Sequence, residues 1–196
     1  MLKELVRDHE IILASGSPRR QKFFKDLEIP VTIDVRPVDE VFPSHLKKEE
    51  ITGFLSALKS EVFRDDLKEN QILITSDTIV YNDGEALGKP KDHAEAVKMI
   101  KSLSGKDHEV ITSVCFTTQN SQKILNHTTK VYFSELSDQE IDYYVTNFKP
   151  FDKAGGYAIQ EWIGLIGIEK IEGSYFNVVG LPTYEVYKTL KDILNS

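Results

Sequence analysis

The sequence predicts an α/β fold with a mainly β middle. Short apolar or β-branched runs alternate with amphipathic helical stripes along the chain. Two long β-prone runs, 110–118 and 123–133, flank the turn Gln119-Asn120-Ser121-Gln122. No internal repeat, low-complexity stretch or linker interrupts residues 1–196, which read as one compact domain with two lobes around a cleft.

The elements follow in order. Ile11 to Ser15 reads as a short buried strand. Ser17-Pro18 supplies an N-cap and a proline at the first helical position, and Phe23, Phe24 and Leu27 continue at helical spacing to about Leu27. Val31 to Val35 alternates like a strand, and Arg36 to Ser44, with Pro37 and Pro43, reads as a loop. From Lys48 to about Leu67, Ile51, Phe54, Leu55, Leu58 and Val62 form one helical stripe. Ile72 to Tyr81 is strongly β-prone, but Thr75-Ser76-Asp77-Thr78 interrupts it. Asn82-Asp83-Gly84 is a hairpin-type turn, Gly88-Lys89-Pro90 is a second break, and Asp92 sits near the N-cap of a helix to about Leu103. Ser137 and Glu140 make a capping-box pattern for a helix that carries Ile141, Tyr144 and Val145 and ends before Pro150. Gly155 to Gln160 reads as a turn entering a strand, and Leu165 to Ile171 as either a strand or a helical turn. Leu181-Pro182 opens a last helix through Leu194, with Val186, Leu190 and Ile193 inward.

Composition narrows the function. A chain of 196 residues buries about 70% of its unfolded surface and needs no staples. A net charge of −7 argues against non-specific nucleic-acid binding, yet a few clustered cations still allow an anionic small ligand. The single cysteine, Cys115, excludes an intramolecular disulfide and a cysteine-based zinc site. The first ten residues are charged, without an apolar leader pattern, and no run approaches the ~18 apolar residues of a membrane span. The expectation is a soluble protein of a reducing compartment. His-Glu-x-x-His, Gly-x-Ser-x-Gly, Gly-x-Gly-x-x-Gly and the Walker loop are all missing, and the five histidines have no ligand spacing.

Four groups of residues could carry chemistry. Ser15-Gly16-Ser17-Pro18-Arg19-Arg20 stands where a strand hands over to a helix, whose free N–H groups suit phosphate. Its arginine forks suit the same oxygens, although a capped helix with two solvated arginines would look alike. Asp77 lies inside an apolar run, where a carboxylate is paired or functional unless it merely ends the strand. Glu40, beside Asp39 in a loop, matters only if the fold brings it to Asp77; two carboxylates and a polyphosphate would then suit Mg²⁺ or Mn²⁺. Lys59 borders the apolar stripe of its helix, and Lys89 and Lys153 lie in glycine-bearing loops. Taken singly, each of the three lysines reads as a solvated surface residue rather than a ligand contact. Gln160 offers an amide suited to a base edge, and Asn177 reads as a structural hydrogen-bonder.

The blocks Ser15-Gly16-Ser17-Pro18-Arg19-Arg20, Val38-Asp39-Glu40, Ala57-Leu58-Lys59, Ser76-Asp77-Thr78 and Gly88-Lys89-Pro90 are followed by three more, Ser104-Gly105-x-x-His108, Asp152-Lys153-Ala154-Gly155-x-Tyr157-x-Ile159-Gln160 and Gly173-Ser174-Tyr175-x-Asn177. In this order, over roughly residues 10 to 192, the chain resembles the Maf family of nucleoside triphosphate pyrophosphatases. The resemblance implies an inosine-triphosphatase-like fold, with a mixed, elongated sheet flanked by helices and two lobes around a cleft. It implies a divalent metal, Mg²⁺ or Mn²⁺, a cytoplasmic homodimer, and no nucleic-acid or membrane partner. By motif, Asp77 would be the proton acceptor, Glu40 and Asp77 would hold the metal, and Ser15, Arg20, Lys59 and Lys89 would hold the phosphates. Arg19, Thr78 and Gln160 match the branch acting on dTTP and UTP, with modified pyrimidine nucleotides as further substrates. Glu161 departs from the glycine that many members carry after the glutamine. The rival reading is a nucleotide-binding regulator of septum formation without turnover, which would have little need of a second carboxylate beside a polyanion.

Overall fold

The computed structural model describes residues 2–195 of the chain as a seven-stranded mixed sheet flanked by helices. Two compact units make it up, the first formed by residues up to Asp77, Thr112–His127 and Gly180 onward, the second by Thr78–Ile111 and Thr128–Val179. The strands are β1 (Glu10–Leu13), β2 (Thr32–Ile33), β3 (Gln71–Asn82), β4 (Glu85–Leu87), β5 (Asp107–Thr117), β6 (Gln122–Phe133) and β7 (Ile168–Glu172). Their order is β2-β1-β3-β5-β6-β7, and β4 pairs with β3. β1 is parallel to both β2 and β3, in register Ile11 with Ile72 and Leu13 with Ile74. β7 returns antiparallel to β6, so the sheet is mixed.

The helices are α1 (Leu2–Leu5), α2 (Pro18–Asp26), α3 (Glu49–Glu61), α4 (His93–Leu103), α5 (Asp138–Phe148), α6 (Trp162–Gly167), α7 (Tyr175–Val179) and α8 (Thr183–Leu194). Local chemistry sets several of their ends. Asp92 accepts a bond from the Glu95 amide at 2.8 Å and caps α4. Ser137 and Glu140 form the reciprocal capping box at the start of α5. Asp83 and Gly84 both take positive φ, so the two-residue turn matches the twist of the β3–β4 hairpin.

The core of the first unit gathers Leu13, Phe24, Ile74, Phe116, Val186 and Leu190. Leu2 and Val6 join it from α1 and the short 3-10 turn that follows; the charged N-terminal sequence concealed this element. The core of the second unit gathers Val80, Ala96, Ile100, Val131, Tyr144 and Ile163.

The structure corrects the sequence reading in several places. β3 runs unbroken through Thr75-Ser76-Asp77-Thr78. Thr75 donates its hydroxyl to the Ser56 carbonyl at 2.6 Å, so a polar side chain in the ladder is satisfied from α3 rather than by a turn. Phe54 on α3 and Val62 just past its end are 38% and 43% exposed, while Thr52, Ser56 and Ser60 are buried beside Ile51 and Leu55. Their hydroxyls bond back to carbonyls of the preceding turn, as in Ser56 to Gly53 at 2.9 Å and Ser60 to Ala57 at 2.6 Å. α3 proper stops at Glu61, and a 3-10 turn continues at Arg64–Asp66. The strand expected from Val31 to Val35 is reduced to Thr32–Ile33. No strand follows Gly155-Gly156: a 3-10 turn at Ala154–Gly156 leads through a bend into α6. The open choice over Leu165 to Ile171 resolves as both, α6 ending at Gly167 and β7 beginning at Ile168.

One buried histidine ties stability to pH. His108, on β5, lies with Nε2 2.7 Å from the Tyr157 hydroxyl and packs edge-on against Phe133. Burial pulls its pKa down to about 4. As pH falls through about 6.5, the unfolded chain takes up this proton first and the folded one resists, so stability is lost down to about pH 4. The loss is expected to reach about 3 kcal/mol. Denaturant titrations at pH 7 and pH 4.5 should reveal it, and His108→Gln should flatten that part of the dependence.

Candidate active site

In the first unit, β1 ends at Leu13 and the chain turns through Ser15 into α2. Ser17 has the extended backbone of an N-cap, but its side chain makes no capping bond. Ser15 organises the turn instead. Its hydroxyl accepts from the Ser17 amide at 3.3 Å and from Arg20 Nη1 at 3.4 Å, and its carbonyl accepts from Gln21 at 3.0 Å. Arg20 reaches across the unit, donating from Nε to the Gly180 carbonyl at 2.9 Å and from Nη1 to the Ser76 carbonyl at 3.1 Å. Sequence reasoning missed this anchoring of Arg20; the only signal was a glycine ahead of Leu181-Pro182. Burial lowers the Arg20 pKa, opposed by the nearby carboxylates of Asp77 and Glu40.

α3 and β3 bring Lys59 to Asp77, and the loop that carries Glu40 meets the same lysine. Ser56 and Lys59 lie one turn apart on α3, and Thr75 and Asp77 share one face of β3. The Thr75–Ser56 bond sets that register, and Thr52 meets Ser113 of β5 at 2.6 Å, so small hydroxyls draw the helix close to the sheet. Lys59 is thereby aimed at Asp77, with Nζ 2.6 Å from Oδ1. Glu40 reaches the same ammonium from its exposed loop at 3.0 Å. Asp77 is 7% exposed, so its charge is held in a poorly solvated place by Lys59. The Lys59 side chain is 18% exposed, and Glu40 and Asp77 meet through its ammonium.

The second unit carries Thr78, Lys89 and Gln160. Thr78 is half-buried on β3, and Lys89 is exposed in its loop. The Gly155 amide donates to the Gly88 carbonyl at 2.9 Å, which ties the Lys89 loop to the 152–156 loop. Gly155 has φ +69°, and a Cβ there would meet Val80 at 2.7 Å, so only glycine lets the two loops close over β3. Val80 shares the Thr78 face of that strand. Gln160 is exposed on a turn whose preceding residues, Tyr157, Ala158 and Ile159, are buried. Asn177 is the structural hydrogen-bonder expected, donating to the Val110 carbonyl and to Thr129, each at 3.0 Å.

A cation-rich helix start beside a desolvated carboxylate has the chemistry that phosphate oxygens would require. Among the described residues no cluster of three His, Cys, Asp or Glu exists; Glu40 and Asp77 offer carboxylate oxygens, both paired with the Lys59 ammonium. Residues 10–193 match the family model described as Maf-like protein, and the chain belongs to the Maf family. It is 84% identical over 196 residues to the dTTP/UTP pyrophosphatase of Christiangramia forsetii, covering all of both chains. It is 55% identical over 194 residues to the dTTP/UTP pyrophosphatase of Flavobacterium johnsoniae, covering 99% of this chain and 100% of that one. Among solved structures, the Staphylococcus aureus Ham1 protein shares the fold, with TM-score 0.55 at 16% identity over 94% of this chain and 99% of that one. No helix among the described residues is long and apolar enough to cross a membrane.

Proposed function

We propose that the protein hydrolyses dTTP and UTP, and modified pyrimidine nucleotides of the same shape, to the monophosphate and pyrophosphate. The observation that carries this reading is the convergence of Glu40 and Asp77 on Lys59 in the unit that also presents Arg20. The names of the full-length relatives support the same substrates. Water attacks the α-phosphorus, forming one P–O bond as the bond to the pyrophosphate oxygen breaks. A nucleoside triphosphate repels such a nucleophile until its charge is neutralised. Arg19, Arg20 and Lys59 supply cationic donors for its oxygens, the Ser15 hydroxyl adds another donor, and by the family motif Lys89 would serve the same end. Asp77 takes the water's proton on its carboxylate, a contribution of about 10²–10⁴-fold. Glu40 and Asp77 would hold Mg²⁺ or Mn²⁺, which supplies further charge neutralisation when bound. By the family motif, Thr78 and Gln160, with Arg19, would read the pyrimidine through hydrogen bonds that a wrong base leaves unpaired. The same reading makes the protein a cytoplasmic homodimer, on the family resemblance alone.

The test is a panel of nucleoside triphosphates with Mg²⁺ or Mn²⁺, in which pyrophosphate and orthophosphate are measured separately. Pyrophosphate should appear, fastest with dTTP and UTP. Orthophosphate as the first product would mean cleavage at the terminal phosphate, and nucleotide binding without turnover would make the protein a sensor.

A further inference from the structure

Glu161 sits at the N-cap position of α6 but makes no capping bond to that helix. Its carboxylate faces back instead. Oε2 accepts from the Tyr144 hydroxyl at 2.5 Å, and Oε1 lies 3.3 Å from Lys153 Nζ. The Tyr144 oxygen in turn accepts from the Ala158 amide at 3.1 Å. Lys153 is 9% exposed and also holds its neighbour Asp152 at 2.7 Å. One carboxylate thus closes a chain of bonds through three points of a single loop, residues 153, 158 and 161, and anchors it to the buried ring of Tyr144 on α5. Burial, reinforced by the Glu161 charge, holds the Tyr144 hydroxyl in its protonated form, so it stays a donor to Glu161. Gln160 is the exposed residue immediately ahead of Glu161 and two residues past Ala158.

We propose that Glu161 is a positioning residue for Gln160: acting through Tyr144 and Lys153, it fixes the turn that presents the Gln160 amide and so sharpens selection of the pyrimidine base. The inference rests on the reading of Gln160 as a base-reading residue. A turn held at both sides of Gln160 presents one amide orientation, and a loosened turn presents several. A hydrogen-bonding site discriminates strongly only when its groups are held in place.

The experiment compares the wild-type chain with Glu161→Ala, Glu161→Gln and Tyr144→Phe. Three quantities are read: kcat and KM for UTP against GTP, amide hydrogen exchange at Ala158, and the melting temperature. Glu161→Ala and Tyr144→Phe should each lower the UTP-over-GTP ratio of kcat/KM by about tenfold, mainly through a raised KM for UTP, while kcat for UTP stays within about threefold. Exchange at Ala158 should quicken by about tenfold or more in both. Glu161→Gln keeps an acceptor for Tyr144 and should retain most of the selectivity. A lowered melting temperature with an unchanged UTP-over-GTP ratio would make the network structural only and overturn the proposal. So would an Ala158 amide that exchanges at the wild-type rate in both disruptive variants. If the wild-type chain turns over no nucleotide, the proposed function fails and base selection with it. Loss of Ala158 protection in the variants would still identify the clamp, so the two failures are told apart.

Discussion

Replacing Asp77 with asparagine is expected to reduce pyrophosphate release by about 10²–10⁴-fold while leaving the protein folded. The two side chains have the same shape, so the buried site on β3 refills without a cavity. An asparagine oxygen can still accept from Lys59, whose ammonium lies 2.6 Å from Asp77 Oδ1, and Lys59 keeps Glu40 as its counter-charge at 3.0 Å. What disappears is the capacity to take a proton, together with one negative charge beside the buried Arg20 guanidinium. The contrast between an unchanged fold and a lost reaction is the informative feature. Pyrophosphate release and thermal melting should be measured on one preparation. A folded variant with wild-type turnover would transfer the proton-accepting role to another group, and a variant that melts far below the wild type would make Asp77 part of the scaffold.

The parts of this fold that were legible in the sequence are those governed by local chemistry. Asn82-Asp83-Gly84 announces its hairpin, Asp92 its helix, and Ser137 with Glu140 its capping box, because each depends on residues within a few positions. Polar residues in buried places were read less well. Thr75 looked like an interruption because its partner, Ser56, lies on another element. The apolar stripe of α3 pointed to Phe54 and Val62, yet the helix turns its hydroxyl-bearing face inward, where Thr52 meets Ser113 and Ser60 meets Gln122. Periodicity cannot rank a satisfied serine above an exposed valine, since the satisfaction is tertiary. The site divides the same way. The strand-to-helix turn at Ser15 was visible locally, and the convergence of Glu40, Lys59 and Asp77 was a condition that only folding could meet. Arg20 was read as a phosphate ligand; its bonds to Gly180 and Ser76, at separations of 160 and 56 residues, show that it also holds the first unit together. The network of Tyr144, Lys153 and Glu161 carried no sequence signal beyond the unusual residue after Gln160.

Gly164→Ala is expected to be the most damaging single-methyl substitution near the candidate site. Gly164 lies in α6 with ordinary helical geometry, so the argument is steric rather than conformational. A Cβ at this position would stand 1.8 Å from the Ile159 carbonyl oxygen and 2.5 Å from its carbon. Both atoms are backbone, so no side-chain rotation relieves the contact. Either α6 must withdraw or the turn at 158–161 must move, and that turn is held by the Ala158–Tyr144 bond and by Glu161. Overpacking of this kind costs about 1–3 kcal/mol where neighbours can give way, and more where they cannot. A loss of about 3 kcal/mol would lower the melting temperature of a chain this long by about 6–12 °C. The turn carries Gln160, so selectivity for UTP over GTP should fall with stability if the chain yields at Ile159. If α6 withdraws instead, Trp162, packed 4.8 Å from Tyr143, should change its fluorescence while the selectivity is kept. The two readouts therefore identify which side of the contact is the more rigid, and an alanine variant that melts like the wild type would disprove the close packing of α6 on the Gln160 turn.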